Sequence, residues 1–213
     1  MDKPLLVFDF DGTLVDSVDS LIACLNDAAR SRSLPGSFSR EAFAQYSVEQ
    51  LLRKEGLWFW QVPGFVKEFR EHVHQRLSEV FLHPGLAGLL SDLRSHAHLA
   101  VVSSNSSANV EEVLAREGVS EYFSVIRSSA YFAKSKHLRG VARELGVARS
   151  RVLYVGDETR DVHAARRARI DSLAVTWGLQ GEEALLRARP RMLAHDVEEF
   201  EHLVKAWMVS SRS

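Results

Sequence analysis

The chain has 213 residues, and its 27 Lys and Arg nearly balance 28 Asp and Glu to a formal charge of -1; that balance argues against a nucleic acid or a membrane recognised mainly through bulk charge. At 46% hydrophobic residues the length supports one domain of ordinary size plus a modest insertion, with a sizeable buried core. Cys24 is the single cysteine, which excludes an intramolecular disulfide, fits a reducing compartment and reads as a small apolar residue on a helix rather than a nucleophile.

Residues 4–9, "PLLVFD", form a continuous apolar run of the kind that suits a strand covered on both faces, as in a parallel sheet. After a turn, Val18, Leu21, Ile22, Leu25, Ala28 and Ala29 recur at helical spacing. Two more helices are expected at roughly 40–55 and 64–81, separated by "GLWFWQVPG", with no strand between Asp16 and Phe81. From His83 the pattern alternates: helix "PGLAGLLSDLRSH", strand "LAVVSS", helix "SANVEEVLAREG" stopped at Gly118, strand "FSVIRS", helix "SKHLRGVARELG", strand "RVLYVGD", and a helix from about Arg160 to Ala168. Strand "DSLAVTWG", a short helix, an edge strand "RMLAHD" and a last helix to about Met208 complete the chain, with the tail "SSRS" expected to fray. Strands alternating with helices predict an α/β fold: a doubly wound, parallel, Rossmann-like sheet, with a small all-helical block inserted after the first strand. No signal peptide precedes the first apolar run and no stretch approaches the ~20 apolar residues of a membrane span, so a cytoplasmic protein without a membrane or nucleic-acid partner is expected.

Ligands of open α/β sheets collect where strands end at their carboxyl side, and four predicted strand ends here carry polar residues. In "DFDGT", alternation puts Asp9 and Asp11 on one side; Gly12 permits a sharp turn, and the two carboxylates make either a hard-oxygen site suited to Mg²⁺ or merely an Asp-rich turn. In "VVSSNSS", residues 103–107 offer donors to an anion or serve as ordinary helix caps. In "FAKSKHL", Lys134 at a helix start opposes the macrodipole, which becomes sensible beside an anion; Lys136 is the competitor. In "YVGDETRD", Asp157 follows an apolar strand, Gly156 allows close approach, and Asp161 lies four residues on.

Acidic pair, hydroxyl, lysine, acidic pair, in that order along one sheet, resembles the haloacid dehalogenase superfamily, specifically its phosphatases. "DFDGTLVDS" is the most specific signal, "GDETRD" supports it, the spacing from Lys134 to Asp157 matches, and "VTWG" looks like phosphoglycolate-phosphatase-like members with a helical cap. The resemblance implies a core of residues 1–16 and 83–213 and a cap of residues 17–82. It further implies that Asp9 is the nucleophile, forming an aspartyl-phosphate, and that Asp11 is the acid and base. Mg²⁺ would be held by Asp9, the carbonyl of Asp11 and Asp157, while Ser103 and Lys134 hold phosphoryl oxygens with backbone help near Gly12, Ser104 and Asn105. Asp161 would orient Lys134 or a metal-bound water, and Glu158 is a lesser metal candidate.

Within that superfamily, the resemblance implies that an aspartate at position 11 favours turnover by water or by a substrate hydroxyl. The resulting expectation is a Mg²⁺-dependent phosphatase of a small phosphate ester, with phosphoglycolate as a candidate, in a monomer or homodimer. A phosphosugar mutase and a non-enzymatic regulator on the same fold are the alternatives. In the cap, Trp58, Phe59 and Trp60 are expected in the centre of the helical block, Arg53 and Lys54 in solvent, and His72 and His74 on different faces.

Overall fold

The computed structural model describes residues 3–58, 60–129 and 133–211. Six strands form one sheet: β1 (Leu5–Phe8), β4 (His98–Ser103), β5 (Phe123–Ser128), β6 (Val152–Gly156), β7 (Asp171–Val175) and β8 (Met192–Ala194), in the order β5-β4-β1-β6-β7-β8 and with every neighbouring pair parallel. The apolar runs are continuous because both faces of the sheet are covered. Leu6, Phe8, Leu99, Val101, Leu153 and Val155 point into one layer, filled by α5 (Leu86–His96), α6 (Ser107–Arg116) and α10 (Val197–Ser210). Leu5, Val7, Ala100, Val102, Val152 and Tyr154 point into the other, filled by α7 (Lys134–Glu144) and α8 (Thr159–Ala168). Strand alternation thus sorts each run between two cores. With β1 central and flanked by β4 and β6, the ends of three adjacent strands lie side by side. The remaining helix, α9 (Glu182–Ala188), packs beside α8 and β7.

The segment between β1 and α5 folds on itself. Its helices are α1 (Val18–Arg30), α2 (Arg40–Gln45), α3 (Val48–Lys54) and α4 (Val62–Gln75), packed around Leu25, Phe38, Phe43, Leu51, Leu57 and Phe65. Each such phenylalanine, once buried, contributes about 1.5–3 kcal/mol. The single helix expected over 40–55 is two helices. Ser47 caps the second through its Oγ on the Gln50 N–H at 3.4 Å, and the Gln50 side chain returns to the Ser47 N–H at 2.9 Å. This reciprocal box starts a new helix where the sequence pattern runs on. The helix expected over 64–81 is α4, three residues in a 3₁₀ turn, and then β3 (Phe81–Leu82), which pairs antiparallel with β2 (Val15–Asp16). These two-residue strands are too short to leave a periodic signal.

The aromatic expectation also needs correction. Trp58 and Trp60 are 63% and 61% exposed and stack on each other, with ring centroids 5.2 Å apart, instead of filling the helical core. That core is already occupied by the phenylalanines above, and two indoles one residue apart hide part of their apolar area against each other. Phe59 lies outside the described residues, as do the last two of the tail. Arg53 and Lys54 are exposed, the latter with Nζ 3.2 Å from the centroid of Tyr46. Cys24 is buried, and burial pushes its thiol up to about 11, as befits an inert apolar position.

Candidate active site

β1 stops at Phe8, and the chain turns within four residues. Phe10 is drawn into the core, its carbonyl accepts the N–H groups of Leu14 and Val15, and Gly12 takes a φ of +69°. This turn holds Asp9 and Asp11 apart from the apolar layer. The Asp9 N–H donates to the Val155 carbonyl at 2.8 Å, extending the sheet contact by one residue, while its Oδ1 accepts the Phe10 N–H at 2.8 Å. Gly12 is required by contact as well as by φ, since a Cβ there would lie 2.4 Å from Asp157 Oδ2.

Lys134, the first residue of α7, is 2% exposed and reaches Asp9 Oδ2 at 2.5 Å and Asp161 Oδ1 at 2.6 Å. Its competitor, Lys136, is exposed. Burial and Arg160 press the Lys134 pKa down, but Asp161, Asp9 and Glu158 outweigh them and hold it above the ordinary value. The ammonium therefore stays charged between two carboxylates. Asp161 is fixed from three further sides: Tyr154 Oη donates to its Oδ1 at 3.3 Å, the Glu158 N–H donates to its Oδ2 at 3.1 Å, and its Cβ sits in the space Gly156 leaves open.

Asp157, at the end of β6, accepts the Thr13 hydroxyl at 2.9 Å and the Leu179 N–H at 2.7 Å. Burial, then the charges of Glu158, Asp161 and Asp9, push its carboxyl well above the usual range. Asp9 is raised too, by burial first, with Lys134 opposing. Glu158, raised chiefly by burial, accepts the Arg160 guanidinium, Nε at 2.8 Å. Asp11 is held by the Ser17 hydroxyl at 2.9 Å and the Asn105 amide at 3.0 Å; burial and Asp9 push it up to about 6. A carboxyl raised from the usual range toward neutrality suits proton transfer in either direction.

At the end of β4, the Asn105 N–H donates to Ser103 Oγ at 3.1 Å, Ser104 Oγ lies 3.4 Å from an Arg160 nitrogen, and Asn105 is itself positioned by Asn109 at 2.9 Å. Asn109 Oδ1 in turn meets His74 Nδ1 of α4 at 3.1 Å, so a chain of side chains runs from the helical segment to Asp11. All four strand-end motifs thus meet in one connected network. Thr13, Ser17, Asn109, Tyr154 and Arg160 belong to it without having been singled out by the sequence as site residues. Thr13 and Ser17, inside "DFDGTLVDS", and Arg160, inside "GDETRD", carried a local signal; Tyr154 looks like any core aromatic of a buried strand, and Asn109 like any polar residue of a helix.

The donor set is entirely oxygen. Carboxylate oxygens of Asp9, Glu158 and Asp161 lie within 4.8 Å of one another. Asp157, the expected ligand, is outside that trio and faces the Gly12 turn. Four buried carboxylates, Asp9, Asp157, Glu158 and Asp161, face two cations, Lys134 and Arg160. A hard divalent cation fits this all-oxygen set and would favour the ionised form of carboxyls that burial now raises.

A family model described as haloacid dehalogenase-like hydrolase matches residues 6–175. The chain belongs to this family. Among curated relatives, a phosphoglycolate phosphatase of Synechococcus elongatus is 36% identical over 88% of this chain and 91% of its own length. One of Pectobacterium atrosepticum is 31% identical over 87% and 85%. A haloacid dehalogenase-like structure from Streptococcus pneumoniae superposes with a TM-score of 0.81 at 23% identity, covering 95% and 98%, which speaks to the fold alone. Within the family the protein is a phosphatase, a phosphoric monoester hydrolase. No helix among the described residues is long and apolar enough to cross a membrane.

Proposed function

We propose that the protein hydrolyses a small-molecule phosphate monoester with Mg²⁺ through an aspartyl-phosphate on Asp9. The observation carrying this reading is the buried contact of Asp9 with Lys134, beside an Asp11 carboxyl held by Ser17 and Asn105. Asp9 attacks phosphorus, the bond to the ester oxygen breaks, and Asp11 gives that oxygen its proton so that the alcohol leaves. Asp11 then takes a proton from water as the water attacks phosphorus, and the Asp9–phosphorus bond breaks to release phosphate. The Ser17 and Asn105 donors aim Asp11 for both transfers.

Lys134 sits where a phosphoryl oxygen approaching Asp9 meets positive charge, and Asp161 keeps that lysine in place. Ser103, Ser104 and Asn105, with backbone donors near Gly12, complete the phosphate cradle. Mg²⁺ would be held by Asp9, the Asp11 carbonyl and Asp157, with Glu158 within reach; when bound it neutralises charge between the anionic nucleophile and the anionic ester. Residues 17–82 act as a cap on a core of 1–16 and 83–213. The β2–β3 pairing supports this division, because Val15 opposite Leu82 makes the segment leave and rejoin the core at one point.

The relatives' names make phosphoglycolate the first ester to assay. Asp9→Asn should abolish Mg²⁺-dependent release of phosphate from p-nitrophenyl phosphate while leaving the circular dichroism spectrum unchanged. Undiminished turnover would remove Asp9 as nucleophile.

A further inference from the structure

Between the strand ends and the helical segment lies a cavity of about 360 Å³. Asp11, Gly12, Ser104, Asn105, Asp157 and Glu158 form its floor, so it opens directly onto the reacting phosphate of the proposed function, on which this inference rests. Apart from Arg160 and Leu179, the rest of its wall comes from α1, α3 and α4 and is of different character: eleven of the twenty lining residues are aliphatic or aromatic, among them Leu21, Leu52, Phe65, Phe69 and Val73. Two features bear on what leaves with the alcohol oxygen.

The first is charge. The cations in the wall are Arg70 and Arg160, against the carboxylates of Asp11, Glu49, Asp157 and Glu158. Arg160 is engaged by Glu158, and Arg70 is exposed and stands at the rim. Asp11, Asp157 and Glu158 belong to the floor, so the helical wall carries only the charges of Glu49 and Arg70, and a leaving group bearing its own carboxylate, such as glycolate, would meet an apolar surface with its one cation at the rim. The second is size and wetness. At ~30 Å³ per liquid water the cavity has room for about a dozen, far more than a two-carbon acid fills, and an aliphatic wall offers those waters few partners. Moving water from such a wall to bulk favours whatever apolar group replaces it.

We infer that the substrate is a phosphate monoester of an alcohol with an uncharged, apolar body of several carbons, seated against α1, α3 and α4. The polar floor handles the phosphate, and the helical wall reads the alcohol by its apolar area.

The experiment is a chain-length series. Full-length protein with Mg²⁺ is given n-alkyl phosphates from ethyl to octyl, with phosphoglycolate as comparator, and phosphate release is followed. Binding of the matching, non-hydrolysable n-alkylphosphonates is measured by calorimetry. Each methylene buried should raise kcat/KM about fourfold, so hexyl phosphate should exceed ethyl phosphate by about two orders of magnitude, and the alkylphosphonate Kd should fall in parallel. Leu52→Lys should flatten both slopes. Turnover with no dependence on chain length, or with phosphoglycolate preferred to hexyl phosphate, overturns the inference and leaves the phosphatase reading standing. Chain-length-dependent phosphonate binding without turnover of any ester does the reverse. Phosphonate binding that ignores chain length sinks the inference without reference to any variant.

Discussion

Replacing Lys134 by methionine keeps most of the side-chain volume and removes one charge. Its Nζ makes two contacts, at 2.5 Å to Asp9 and 2.6 Å to Asp161, and all three residues are buried. Removing one partner from a buried ion pair costs about 3–5 kcal/mol, because the charge left behind has neither water nor a counter-ion. Against a typical total stability of about 5–15 kcal/mol, that is a large share. The carboxyls then relieve themselves by protonation. Burial already raises the Asp9 pKa and Lys134 opposes it, so the variant's folded pKa rises further above the unfolded value. The folded state then binds more protons than the unfolded chain. Stability of the variant therefore falls as pH rises through that folded pKa and returns as pH drops toward the unfolded one. Urea unfolding in EDTA should show a deficit of about 3–5 kcal/mol at pH 7.5 and a smaller one at pH 5. With Mg²⁺, kcat on p-nitrophenyl phosphate should drop about 10²–10³-fold. A deficit below about 1 kcal/mol at pH 7.5, or one that does not shrink at pH 5, would refute the argument.

Gly12→Ala forces a Cβ into left-handed backbone and onto Asp157; metal affinity measured by calorimetry should fall at least about tenfold, and backbone strain alone costs about 1–2 kcal/mol. Asn105→Ala removes a donor from the charged form of Asp11, so the Asp11 limb of the pH–rate profile should move upward from its wild-type position. Mg²⁺ at a hundredfold excess over its Kd should stabilise the protein by about 2.7 kcal/mol. Because the raised carboxyls of Asp9 and Asp157 compete for protons, the rise in Tm should be larger at pH 7.5 than at pH 5.

The sheet was legible because its central strands are buried on both faces and so read as unbroken apolar runs ended by Asp9, Ser103 and Asp157. The break between α2 and α3 was present in the sequence as Ser47 and Gln50, three apart, but the apolar spacing runs across it. The Trp58 and Trp60 pair could not be assigned from composition, since whether an aromatic enters a core depends on what already fills it. Asn109 and His74 are unremarkable polar residues on their own helices. Their link to Asp11 exists only once α4 lies against α6.

By itself, the sequence determined the six strands of the main sheet, the helices that alternate with them from residue 83 on, and the chemical kind of each strand end, because burial period and turn chemistry are local properties. Tertiary structure alone decided which of those groups touch: that Lys134 joins Asp9 to Asp161, that Asp157 turns to Thr13 and Leu179 rather than joining the carboxylate trio, and that an apolar cavity stands over them. These depend on side chains as many as 144 residues apart sharing a few ångströms of low-dielectric space, as Thr13 and Asp157 do. Charge and volume in such a space are settled jointly by every element that encloses it.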